Sequence, residues 1–282
     1  MKRVVTKTMH KTKIAVVGAS GRMGREVLRL ILNTENMALV AALTHEHSAS
    51  LGLDAGLLAQ EGPCKVLLQC DYAALQQANV VIDFALAAGI EQRLEHYKQA
   101  NIAAVICTTG LSEQQIAGLH EAAKHIPILY AANTSVGINT LLMLVEQASA
   151  AMGLGADIEI LEAHHTAKKD APSGTALMLG EAAARGRGQH LAEVAEMNRN
   201  APGAFHKPGS IGFATLRAGD IVGEHTVYLV SGGERLELTH RVASRSTFAE
   251  GAVRGATWLV GKEPGFYRMS DLLGVDENAL IP

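Results

Sequence analysis

The chain has 282 residues, of which 48% are apolar, and a formal net charge of −3. That length holds one large or two modest domains with a sizeable core, the charge lacks the basic stripe of a nucleic-acid binder, and no apolar stretch reaches the roughly 18 residues of a membrane helix. Three cysteines (Cys64, Cys70 and Cys107) with no CxxC pair argue against a disulfide framework or structural zinc, and a cytoplasmic location is expected.

The basic opening, Met1 to Lys13, has no apolar run of a signal peptide and reads as a short extension. Residues 13–18 predict a buried strand, 18–24 a glycine turn, 25–32 a helix with Val27, Leu28, Ile31 and Leu32 on one side, and 38–43 a second strand. This is a βαβ unit. Strands at 80–84, 103–106 and 126–131 alternate with helices at 90–100 and from Ser112, where Gln115 predicts a capping box. The fold class is therefore α/β, a Rossmann-like doubly wound parallel sheet.

After residue 135 the pattern changes. A helix over 137–152, an alternating strand over 157–163 and an alanine-rich helix over 173–184 precede a polar surface excursion at 185–209. Strands at 211–217, 224–231 and 234–241 follow without helices between them, which predicts a second α+β domain with a mixed or antiparallel sheet. Helices at 248–259, with Trp258 in the core, and 270–273 are expected to rejoin the first domain. The expected division is 13–135 completed by 246–282 for dinucleotide binding, and 136–245 for substrate.

Gly18-Ala19-Ser20-Gly21-Arg22-Met23-Gly24 follows a strand and opens a helix. Amides at a helix start carry partial positive charge and can hold a pyrophosphate. The spacing is GxxGxxG rather than GxGxxG, and a turn whose glycines serve packing alone is the blander reading. The acid that binds the adenosine ribose, about 20 residues on, is replaced by Thr44, then His45 and Glu46. Arg22 and His45 facing a 2′-phosphate would favour NADPH over NADH, while Glu46 could still reach a ribose if the loop bends back. Cys107-Thr108-Thr109 and Ala131-Ala132-Asn133-Thr134 end parallel strands where ligands of open sheets bind, or are ordinary strand-end turns.

The stretch from Glu162 to Ala176 gathers His164, His165, Lys168, Lys169 and Asp170 just past a strand and ahead of a helix at Ser173-Gly174-Thr175. His and Lys are suited to proton donation, a lysine can pair with a carboxylate, and the helix start offers an anion cradle. Adjacent histidines also suit a metal, though no third ligand stands at helical spacing, and a solvated charged loop accounts for the same residues. His225 and His240 read as satisfied strand residues, and Arg217 and Arg241 as suited to an interface or an anionic substrate.

The EAHH…K.DAPSGTA pattern at Glu162–Ala176 closely resembles the signature of the dihydrodipicolinate reductase family. GASGRMGR, the TTG at Thr108–Gly110, the AANTSVG at Ala131–Gly137 and GFATLRAGDIVGEH are similar to the family too, over nearly all of Lys13 to Leu273. The resemblance implies reduction of a cyclic α,β-unsaturated imine dicarboxylate by NADPH or NADH, with hydride going to ring C4, in lysine and diaminopimelate biosynthesis. It places His164 as proton donor/acceptor, Lys168 as second proton donor, and His165, Gly174 and Thr175 on substrate, with Ser173 beside them. Gly18 to Met23, Cys107 to Thr109 and Ala131 to Thr134 would contact the cofactor, and the second domain would build a homotetramer. Thr44, His45, Ala85, Cys107 and Thr134 depart from the family's usual residues, all on the cofactor side. Two other functions fit the glycine turn: another dehydrogenase on this scaffold, and a dinucleotide-binding redox sensor without turnover.

Overall fold

The structure is a computed structural model and describes residues 11–199 and 205–274. The chain divides into two compact units, one running through Thr134 and resuming over Ser246–Gly274, the other spanning Ser135–Arg245. Each is considered by itself.

The first unit alternates strand and helix: β1 (Thr12–Val17), α1 (Arg22–Leu32), β2 (Met37–Leu43), α2 (Ala55–Leu58) and β3 (Leu68–Gln69). A 3-10 turn at Tyr72–Gln77 leads to β4 (Val80–Asp83), α3 (Ile90–Ala100), β5 (Ala103–Ile106), α4 (Glu113–Ala122) and β6 (Pro127–Tyr130). All its strands are parallel, and β4 lies directly beside β1. Strands β4 and β5 are buried at every position, as sheet strands covered on both faces must be. Since β2 and β4 flank β1, the order reverses there, and open α/β sheets bind ligands at the carboxyl ends of such strands. The predicted capping box is present: Gln115 N donates to Ser112 Oγ at 3.2 Å, and Ser112 N to Gln115 Oε1 at 3.0 Å.

The second unit carries α5 (Val136–Met152), β7 (Asp157–His164), α6 (Gly174–Gly186), α7 (Leu191–Val194), β8 (Ala195–Glu196), β9 (Ile211–Arg217), β10 (Gly223–Ser231) and β11 (Glu234–Val242). Its sheet is mixed, in the order β11-β10-β7-β9-β8, with β7, β9 and β8 parallel and β10 antiparallel to both neighbours. Alternate residues of β7 (Ile158 and Ile160) join Phe213, Val227 and Leu229 against α5 and α6. Small residues let those helices approach closely: a β-carbon on Gly186 would stand 2.3 Å from the Glu146 carbonyl oxygen. The chain then returns to the first unit with α8 (Ser246–Leu259), β12 (Gly265–Tyr267) and α9 (Met269–Leu273), and β12 pairs with β6. No helix among the described residues is long and apolar enough to cross a membrane.

Several sequence expectations need correction. The excursion at 185–209 is not all irregular: α6 runs on to Gly186, α7 follows, and β8 adds a short edge strand to β9. Its polar, glycine-rich composition hides a two-residue strand that only pairing reveals. Trp258 is half-buried rather than central, edge-on to Tyr267 with Lys262 over its ring. Strands β3 and β12 are too short for periodicity to show. The expectations for Lys2, Arg3 and Lys7, and for the tail beyond Gly274, lie outside the described residues.

Candidate active site

In the first unit the glycine turn leaves β1 at Gly18, whose φ of +77° lies in the left-handed region. A β-carbon there would sit 2.8 Å from Ala85 N, after β4, so the ends of the two neighbouring strands meet through this glycine. Gly24 brings α1 onto the turn, since a β-carbon would stand 2.2 Å from the Gly18 carbonyl oxygen. Gly21 caps α1 without a side chain, which leaves the first amides of the helix for a ligand.

A cleft of about 810 Å³ opens over this turn, walled by Gly18, Ser20, Gly21, Thr44, His45 and Tyr72 among others. Thr44 Oγ1 lies 2.6 Å from Ser20 Oγ, so a hydroxyl pair stands where a ribose-binding acid is usual. Arg22 is exposed and does not line the cleft, nor do Ala19 and Met23.

Cys107, Thr108, Thr109 and Ala131 to Thr134 are not on the cleft walls either. Burial pushes the Cys107 thiol well above its ordinary range, which suits a buried apolar side chain rather than a nucleophile. Thr108 Oγ1 donates to the Ala85 carbonyl at 3.0 Å, and Thr134 Oγ1 donates to the Phe248 carbonyl at 2.6 Å.

One device in this unit carries no sequence signal. Asp83, fully buried at the end of β4, accepts from Arg93 Nε at 2.7 Å, Tyr97 Oη at 2.8 Å and Ala85 N at 2.8 Å. Arg93 also donates to the carbonyls of Ala88 and Leu86. Side chains thus fix the 84–89 loop, which forms a wall of the cleft. Ten residues separate Asp83 from Arg93, and only the fold brings a strand end and a helix face together.

In the second unit the Glu162–Thr175 stretch is a strand end, a loop and a helix start. Glu162, Ala163 and His164 are the last residues of β7, where alternation points Glu162 and His164 to the same face. His164 Nδ1 lies 2.5 Å from Glu162 Oε2. Arg217, opposite His164 on β9, grips both oxygens of Glu162 at 2.8 Å. Ser173 N (3.1 Å) and Thr215 Oγ1 (3.2 Å) complete the set. Burial alone would raise the Glu162 carboxyl, but the hydrogen bonds from His164 and Arg217 hold it at about 2.

An ionised Glu162 fixes the proton of a neutral His164 on Nδ1 and presents Nε2 outward. Nε2 makes no hydrogen bond among the described residues. Arg217 is thus committed to Glu162 rather than to a substrate or an interface, and Arg241 pairs with Glu224.

Beyond β7, Lys168 Nζ lies 2.9 Å from Asp170 Oδ2, and Arg217 holds the Asp170 carbonyl at 2.6 Å. After the cis Ala171–Pro172 bond, Ser173 caps α6: its Oγ accepts from Ala176 N at 3.1 Å and lies 3.0 Å from His225 Nε2. The Ser173 hydroxyl is therefore occupied, while Gly174 and Thr175 begin the helix. His165 is half-buried where the loop begins.

His225 lies edge-on to His164, with ring centroids 5.1 Å apart. Burial, then the neighbouring His164, lowers its pKa from 6.5 to about 3, so it stays neutral. A folded value below the unfolded one gives stability that is present above 6.5 and lost as pH falls toward 3. His240, also lowered by burial, adds to this slope. We expect His225→Gln to remove up to about 1.4 kcal/mol per pH unit of that dependence. Urea unfolding between pH 7 and 5 checks this, and an unchanged slope would contradict it.

A glycine turn at the switch point of a parallel sheet, with a carboxylate–histidine pair in a second unit, is the arrangement of oxidoreductases built on a dinucleotide-binding fold. Two family models cover nearly all of the chain: Dihydrodipicolinate reductase, N-terminus, over residues 12–134, and Dihydrodipicolinate reductase, C-terminus, over residues 137–273. The 4-hydroxy-tetrahydrodipicolinate reductase of Acinetobacter baumannii (strain AYE) is 46% identical over 266 residues, 94% of this chain and 97% of the relative. That of Pseudoalteromonas atlantica is 47% identical over 264 residues, 93% and 99% of the two chains. A dipicolinate-bound dihydrodipicolinate reductase from Paenisporosarcina sp. TG-14 shares the fold, with a TM-score of 0.70 at 22% identity, covering 92% and 97% of the two chains. The chain belongs to the dihydrodipicolinate reductase family and is an NAD(P)H-dependent oxidoreductase.

Proposed function

We propose that the chain reduces the cyclic dicarboxylate imine derived from 4-hydroxy-tetrahydrodipicolinate to tetrahydrodipicolinate, with His164 and Lys168 as its proton-handling groups. The observation that carries this is the Glu162–His164 pair at the end of β7, with Lys168 and the start of α6 in the same short segment. The bound nicotinamide supplies hydride to ring C4. The enamine left behind needs a proton on the adjacent carbon. Glu162 holds Nδ1 of His164 and so fixes the ring, which leaves Nε2 to hand that proton over.

The substrate's carboxylates have two kinds of partner. Lys168 can exchange Asp170 for one of them, and the first turn of α6 at Gly174 and Thr175 offers amides for another, with His165 nearby. Lys168→Ala should lower kcat by roughly 10²-fold and raise KM; steady-state kinetics with purified protein check it, and wild-type values would remove Lys168 from the site.

On the cofactor side, Thr44 and Ser20 present hydroxyls at the end of β2, with Glu46 two residues further along the cleft wall, which supports use of NADPH at least as readily as NADH. Thr44→Asp should shift the ratio of kcat/KM values toward NADH by about tenfold; an unmoved ratio would place the preference elsewhere. Leu161, Leu216 and Val230 lie exposed on the sheet face opposite α5 and α6. This supports a homotetramer built through that sheet, as in the family, which sedimentation measures. A cytoplasmic location fits a biosynthetic reductase with free thiols.

A further inference from the structure

Gly223 begins β10, opposite Val242 of β11, and is buried. Its backbone does not call for glycine, because its φ lies outside the left-handed region. In a strand, glycine is less favourable than alanine. What surrounds its α-carbon is more telling. A β-carbon there would stand 3.2 Å from His164 Nε2, 3.5 Å from His164 Cδ2 and 4.0 Å from His225 Cε1. All three nearest atoms belong to imidazole rings. At Gly18 and Gly24 backbone fills the space under 3.0 Å, at Gly212 the Glu159 carboxylate does, and at Gly137 Nε2 and Cδ2 of His240 come first, with the Ser135 hydroxyl next.

The close contact falls on the nitrogen of the His164 ring that has no hydrogen bond among the described residues. His164 has little room to give way. Glu162 holds its Nδ1 at 2.5 Å, and His225, itself bound to Ser173 Oγ at 3.0 Å, stands edge-on beside it. A methyl at 223 would therefore fit the strand but crowd the nitrogen that must meet the substrate, or tilt the ring off Glu162.

We propose that Gly223 is a positioning residue for the reduction: its missing side chain keeps the approach to His164 Nε2 clear for the substrate ring. This rests on the reading of His164 as proton donor, and it adds a second strand, β10, to the residues that shape proton transfer.

The test compares Gly223→Ala with His164→Gln and the full-length parent, using NADPH and the imine substrate. For Gly223→Ala we expect a melting temperature equal to the parent's or higher, an unchanged Kd for NADPH, and kcat/KM lowered by about 10-fold to 10²-fold. A chemical probe supplies a readout that a purely structural role would not move. Diethyl pyrocarbonate modification of His164, followed by peptide mass, should slow several-fold in Gly223→Ala. A folded variant with parental kcat/KM and parental labelling overturns the proposal. So does a fall in melting temperature with loss of NADPH binding, which would mark Gly223 as a packing glycine. An inactive His164→Gln beside a fully active Gly223→Ala sinks this inference alone; a fully active His164→Gln sinks the proton-donor reading beneath it.

Discussion

His164→Gln should lower kcat by about 10²-fold or more while leaving the Kd for dinucleotide unchanged. The amide keeps much of the side chain's shape and can still donate to Glu162, but it holds no transferable proton at the outer position. The cofactor cleft lies in the other unit and shares no residue with the Glu162 cluster. Loss of turnover with intact binding therefore isolates the proton step. Steady-state kinetics beside fluorescence titration with NADPH measure both quantities, and wild-type kcat would remove His164 from the chemistry.

Arg217→Met should destabilise the second unit by about 3–5 kcal/mol, the usual consequence of stripping one partner from a buried ion pair. Glu162 has no exposed side-chain surface and receives two of its hydrogen bonds from this one guanidinium. Without Arg217, burial would dominate and the carboxyl would rise toward or above its unfolded value of 4.5. In the parent, a folded pKa of about 2 against 4.5 unfolded gives stability that is present above pH 4.5 and lost as pH falls toward 2. In Arg217→Met that loss should begin at higher pH. Denaturant unfolding at pH 7 and pH 4 tests both parts; a variant as stable as the parent at both would mean that His164, Ser173 and Thr215 suffice to hold the charge.

What the sequence disclosed and what it hid divide along physical lines. Strands β1, β4 and β5 are continuous apolar runs and the helices α1, α3 and α5 have long periods, so their positions could be read closely. Gly18-to-Gly24 announced its turn because glycine is needed where backbones touch. The role of Glu162 was hidden, since it stands beside the histidines as one more acid. Only β-sheet pairing brings Thr215 and Arg217 to it from 53 and 55 residues away. The same holds for Asp83 with Arg93, and for Gly223 beneath His164. In each case the partners lie on different elements, and spacing along the chain carries no trace of their meeting. Arg22, the first residue of α1, is exposed and does not wall the cleft.

Nicotinamide oxidation by the purified chain with freshly made 4-hydroxy-tetrahydrodipicolinate, with NADPH and NADH run in parallel, tests the reductase activity most directly. The structure predicts rapid, substrate-dependent oxidation, with NADPH used at least as well as NADH. Dinucleotide binding without turnover on either cofactor would contradict it and leave a protein that senses the dinucleotide rather than one that spends it.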